Sequence, residues 1–146
     1  MMIDIILLSM ILHRPPDMVQ YVANHVINCD VLFVIAVVEN ESSFNPNAYN
    51  INKNGSHDSM LFQTNSYYHP ILNNLDEHCR YASEFLSKCL RLEKGDLRRG
   101  LSRWNAGKPD NADGLIFADK VLLTYWLIGG NIEIRKGNEN YGKKVE

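Results

Sequence analysis

Residues 31–38 form an uninterrupted apolar run, Val-Leu-Phe-Val-Ile-Ala-Val-Val, and it constrains the fold of this chain more than any other feature. Eight apolar residues without a polar break leave no face for water, so the segment belongs in the middle of a core. Periodicity alone does not say whether it is a buried helix or a buried strand. Its β-branched content leans towards strand. Asp30, immediately before it, suits the N-cap of a helix.

The rest of the chain reads as one mainly helical domain over residues 1–146. A chain of this length buries roughly 68–70% of its unfolded surface in a single core. Residues 3–12 are mostly apolar but contain Asp4, lack a basic leader and run into His13-Arg14-Pro15-Pro16, so they read as a core helix rather than a signal peptide. They are too few to span a bilayer. Pro15-Pro16-Asp17 opens a second helix, with Met18, Val19, Val22, Ala23, Val26 and Ile27 at helical spacing. Asn28-Cys29-Asp30 ends it. Residues 45–59 are rich in Asn, Ser and Gly, which predicts a small β excursion with a hairpin around Asn54-Gly55. An amphipathic helix follows over 76–92, with Tyr81, Phe85, Leu86 and Cys89 on one side. Gly95-Asp96 separates it from a helix over about 97–104. Residues 108–114 read as loop. Leu115, Ala118, Leu122 and Tyr125 mark a last helix closing near Gly129-Gly130, and the charged tail from Asn131 is expected to fray. The fold class is therefore mainly α, of the α+β kind.

Composition removes several functions. The net charge is −2, without a dominating basic patch, which argues against nucleic acid as a partner. The five histidines lack metal-ligand spacing, and Cys79 and Cys89 form no Cys-x-x-Cys pair, so no metal and no cofactor is expected. Three cysteines cannot all pair within one chain. Three buried thiols is the leading reading; one disulfide plus a free thiol is the other.

Glu41 sits where an apolar segment opens, a position in which desolvation raises a carboxyl pKa and suits it to general acid work. Its neighbour Glu39, two residues earlier, faces elsewhere on a helix and reads as solvated. Glu41-Ser42-Ser43-Phe44-Asn45-Pro46-Asn47-Ala48 resembles the catalytic-Glu motif of lytic transglycosylases. Asn52-Lys53-Asn54-Gly55-Ser56-His57-Asp58, leading into Met60-Leu61-Phe62-Gln63-Thr64-Asn65-Ser66, resembles the Asn-Gly-Ser-x-Asp-x-Gly-Leu-Met-Gln-Ile-Asn segment of the specialised transglycosylases of secretion, conjugation and phage systems. It also resembles C-type lysozyme, whose two catalytic carboxyls have the spacing of Glu41 and Asp58. Trp104-Asn105-Ala106-Gly107 is similar to the family's Tyr-Asn-Ala-Gly, and Phe117-Ala118-Asp119-Lys120-Val121 to its Tyr-Ala-x-x-Val. The likeness covers roughly residues 17–125, in order.

This resemblance implies a lysozyme-like fold in which residues 31–38 are helical, Glu41 ends that helix, and the β excursion forms the opposite wall of a glycan cleft. It implies Glu41 as the catalytic acid and Asp58 as a second carboxyl that either takes part in catalysis or anchors the Asn-Gly turn. Gln63, Trp104, Asn105 and Phe117 become glycan-binding candidates. Asn65 joins them, with turn fixing as its favoured role, and Phe62 reads as packing. The activity implied is cleavage of peptidoglycan, by transglycosylation to anhydro ends or else by muramidase hydrolysis, with an inactive glycan-binding or assembly subunit as the non-enzymatic alternative. The site of action would be the bacterial periplasm or cell wall, reached by export or with a virion or secretion apparatus. Three positions depart from the pattern. Met60 replaces a Gly and would be strained at positive φ. Trp104 replaces a Tyr, trading a phenol for an indole N–H. Phe117 replaces another Tyr and loses its hydroxyl.

Overall fold

A computed structural model describes residues 4–129. The order of elements is α1 (Ile5–Leu12), α2 (Pro16–His25), α3 (Val31–Ser42), β1 (Tyr49–Ile51), β2 (His57–Ser59), β3 (Thr64–Asn65), α4 (Leu75–Leu92), α5 (Leu97–Ala106) and α6 (Ala112–Leu127). The architecture is mainly helical with one small antiparallel sheet, ordered β1-β2-β3. The tail expected to fray from Asn131 lies outside the described residues.

The apolar run is helical. Asp30 caps α3 by accepting from the Phe33 N–H at 3.2 Å, and its other oxygen accepts from the Tyr125 hydroxyl at 3.0 Å, tying the start of α3 to α6. Phe33 to Val38 are each at most 1% exposed. Around them lie Leu86 and Leu90 of α4, Leu101 of α5, and Ala118, Val121 and Leu122 of α6. Burial of this kind stabilises by roughly 25 cal/mol per Å² of apolar surface, and a helix enclosed on every face takes its stability from tertiary packing. Asn40 fastens the far end of α3 to α6, donating to Thr124 Oγ1 at 3.0 Å.

Helices α5 and α6 pack closely on each other. Gly114 permits this, since a Cβ there would stand 3.0 Å from the Ser102 backbone. Asn111 caps α6 through the Gly114 N–H, so the helix starts at Ala112 and the expected 108–114 loop is shorter than the sequence suggests.

Two expectations need correction. Residues 5–12 are a helix, but only Leu8 and Ser9 are buried, while Ile6, Leu7, Met10 and Ile11 stay exposed; it is a helix laid on the core, not one within it. Glu39 is not simply solvated: its carboxylate receives a two-pronged bond from Arg14 at 2.9 and 2.8 Å, clamping the α1–α2 junction to α3. The three thiols are free. Cys79 and Cys89 are buried and Cys29 is partly exposed.

Candidate active site

The cleft is built by the end of one helix facing the hairpin. Glu41 lies in the last turn of α3, and the chain then reverses through two left-handed residues, Ser43 (φ 54) and Phe44 (φ 62). Phe44 is buried, which pins the reversal to the core. From there the chain enters β1 and turns at Asn54-Gly55 into β2, with Tyr49 opposite Ser59 and Ile51 opposite His57. Asp58 sits in the middle of β2. Its partner across the sheet in β3 is Asn65.

Asp58 is held by amides on both oxygens. Asn52 Nδ2 donates at 3.1 Å to one and Asn65 Nδ2 at 2.9 Å to the other. The same two amides reach Ser56 Oγ at 3.1 and 3.0 Å, and that hydroxyl donates to Asn54 Oδ1 at 2.6 Å. Asn65 Oδ1 accepts from the Tyr67 N–H. The favoured turn-fixing role of Asn65 is therefore visible in its contacts, and the Asn-Gly loop is welded to the carboxylate beside it.

Glu41 is treated otherwise. Its carboxyl has no hydrogen-bond or ion-pair partner among the described residues, and it faces the cleft. Burial first, and the negative charge of Asp58 second, push its pKa from 4.5 up to about 8. A carboxylic acid in this state carries its proton at neutral pH.

The cleft has a volume of about 930 Å³ and brings together Glu41, Asp58, Gln63, Asn65, Trp104 and Asn105. It falls within the usual range for ligand sites of roughly 300–1,000 Å³. Trp104 of α5 forms an aromatic wall with Phe85, ring centroids 5.8 Å apart, and His69 packs edge-on to Phe85 at 4.7 Å. Asn105 is exposed at the rim, and its amide has no partner among the described residues. Gly107, at φ 76, caps α5 and turns the chain so that Lys108 also lines the cleft.

Gln63 lines the cleft, but its amide is spent on the protein. Its Nε2 donates to the carbonyls of Ala48 (3.1 Å) and Met60 (2.8 Å), and its Oε1 accepts from Asn50 at 2.7 Å. It braces the hairpin wall. Phe117 does not line the cleft: it lies half-buried against the core from α6, because the buried face of that helix is Ala118, Val121, Leu122 and Tyr125. Met60 does adopt positive φ, at 67°, so the strain expected from a side chain there is real. Phe62 is buried, as a packing residue should be.

The sequence pattern passed over two contributors. Asn52 is one; its place six residues before an acid in an Asn-rich turn was the available signal. His78 is the other. Buried in α4, it accepts the Phe62 N–H at 3.0 Å, and burial lowers its pKa to about 4, so it is a neutral acceptor fixing the segment between Met60 and Gln63. Nothing in its spacing announces this. Among the described residues no group of three His, Cys, Asp or Glu side chains is arranged to hold a metal ion. No helix among them is long and apolar enough to cross a membrane.

Comparison with known proteins adds no relative: no family model, curated protein or solved structure matches the chain.

Proposed function

We propose that this chain has a lysozyme-like fold and is a peptidoglycan lytic transglycosylase, cleaving the MurNAc-β-1,4-GlcNAc bond with Glu41 as its single acid and base. The observation that carries the reading is the Glu41 carboxyl, largely desolvated, without a partner among the described residues and open to a groove of about 930 Å³. The ordered motifs around Glu41, Asp58 and Trp104 support it, since their side chains meet at that groove.

The protonated Glu41 gives its proton to the bridging oxygen as the C1–O bond breaks, and the electron pair leaves with that oxygen. The N-acetyl group of the muramic sugar stabilises the positive charge at C1. Glu41, now a carboxylate, takes the proton of the C6 hydroxyl while O6 bonds to C1. The product end is a 1,6-anhydro sugar, Glu41 regains its proton, and no water is consumed. A pKa near 8 serves both steps, because the acid is loaded at neutral pH and its conjugate base is strong. Asn105 carries an exposed amide with no partner among the described residues, the largely buried Trp104 contributes apolar surface to the groove, and Asp58 and Asn65 shape the opposite wall.

A second reading is hydrolysis. The observation favouring it is that Asp58 lies close enough for its charge to raise the Glu41 pKa, so a two-carboxyl muramidase route is open to the same groove. Under either reading the substrate lies outside the bacterial cytoplasmic membrane, and delivery by export, a virion or a secretion apparatus belongs to the proposal.

The test is incubation of the purified chain with peptidoglycan sacculi and mass spectrometry of the fragment ends. Anhydro ends are expected; reducing ends would replace this reading with hydrolysis. Glu41→Gln is expected to lower release by about a thousandfold with an unchanged circular dichroism spectrum. A wild-type chain that releases nothing would leave only a binding module.

A further inference from the structure

Helix α4 does more than close the cleft. Tyr81, Glu84, Phe85, Lys88 and Arg91 follow one another at spacings of three, one, three and three residues, which places them along one face of that helix. This face borders a second groove of about 460 Å³, whose facing side is Asn28 in the α2–α3 connection. Phe85 belongs to both grooves: it faces Trp104 in the first and lies parallel to Tyr81 in the second, with centroids 6.3 Å apart. The two spaces therefore share an aromatic wall.

Their chemistry differs. The main cleft is lined chiefly by amides, hydroxyls and aromatic rings; of its charged side chains, Arg103 is paired with Glu93, Asp58 is held by two amides and Glu41 keeps its proton, which leaves Lys108 at its edge. The second groove carries two cations and one carboxylate. Lys88 and Glu84 are exposed and have no partner among the described residues. Arg91 gives one donor to Ser87 Oγ at 2.7 Å, which fixes its guanidinium and leaves its other N–H groups for a ligand.

We propose that this second groove binds the peptide stem carried by a glycan strand lying in the main cleft. The inference rests on the glycan-cleaving reading of that cleft. A stem presents carboxylates together with an amino group on its diamino residue, which complements Lys88 and Arg91 on one side and Glu84 on the other. It leaves the strand sideways from the muramic sugar, so a stem-bearing strand needs a space contiguous with the sugar site, and the groove beyond Phe85 supplies one. Exposed ion pairs contribute modestly, so the groove sets preference among substrates rather than the chemistry.

The test uses the full chain carrying Glu41→Gln, which holds glycan without turning it over. It is titrated with two soluble strands of equal length, one with stems intact and one stripped by an amidase. Stem-bearing strands are expected to bind about fivefold more tightly at low salt, with the preference fading as salt screens the pairs. Adding Lys88→Gln and Arg91→Gln should abolish the preference while the affinity for stripped strands stays the same. Lys88→Gln alone, which leaves the Arg91–Ser87 bond intact, should roughly halve the preference. Equal affinity for the two strands in the parent, or a parallel loss for both in the substituted chain, overturns the proposal and leaves the sugar cleft standing. Binding of neither strand, together with no fragments from sacculi with the wild type, overturns the glycan reading and the groove with it.

Discussion

On the helical wall of the cleft, Glu41 follows six fully buried apolar residues and meets no donor among the described residues. On the hairpin wall, Asp58 meets two amides, and those amides are themselves bound to Ser56. One carboxyl is largely desolvated and opens only onto the groove; the other is embedded in a polar network. Desolvation penalises the charged form of a carboxyl, and satisfied networks rigidify the segment that carries them. The contrast separates the two walls: the helix carries a desolvated acid, and the hairpin holds a fixed polar shape opposite it.

The sharpest way to break this comparison is to remove the stored acid. The pKa of Glu41 in the folded chain lies above its ordinary value, so the native state keeps the proton between about 4.5 and 8 while the unfolded chain has released it. The stability this represents is fully present below pH 4.5 and is lost as pH rises through 8. Denaturant unfolding should show wild-type stability falling across that window, with a steepest slope of roughly 1.4 kcal/mol per pH unit. Glu41→Gln should flatten that fall and exceed the wild type by roughly 3–5 kcal/mol above pH 8. An equal fall in both proteins would mean that the helical wall holds no such acid.

The hairpin wall should respond in the opposite sense. Asn65→Ala removes the amide that joins Ser56, Asp58 and the Tyr67 N–H, and it should destabilise by about 2 kcal/mol. Faster amide exchange confined to residues 49–66 would accompany it, measurable by mass spectrometry. A stabilised variant would show the network to be ornamental.

The smallest effect joins the two walls. Asp58→Asn removes a negative charge that Glu41 feels, so the Glu41 pKa should fall, by less than burial raises it. The alkaline limb of the pH–activity profile would move to lower pH. An unmoved limb would show that the walls are electrostatically independent.

How much of this was legible in the sequence differs between the same two regions. The hairpin was local: Asn54-Gly55 and the polar run around it announced a turn, and Met60 announced its own strain where a glycine was expected. The run before Glu41 announced burial but not its form, because Val31, Val34, Ile35, Val37 and Val38 suit a strand as well as a buried helix. The motif that follows the run pointed to helix, and packing among the surrounding helices is what stabilises it. Long-range pairings were invisible. Arg14 clamps Glu39 across 25 positions, and nothing in either neighbourhood predicts it. Phe117 misled for a geometric reason: the motif placed it on a helix, but the rotation of α6 against α3 and α5 turns Ala118 and Val121 inward and leaves Phe117 at the edge of the core. The α1 segment misled similarly, since hydropathy is blind to which side of a uniformly apolar helix finds a partner.

Infrared titration of the Glu41 side-chain carboxyl, taken as the wild-type minus Glu41→Gln difference, addresses the central claim without substrate. The account predicts that the protonated carbonyl band persists through pH 7 and is lost with a midpoint near 8. A midpoint near 4.5, the ordinary value for a solvated glutamate, would contradict it.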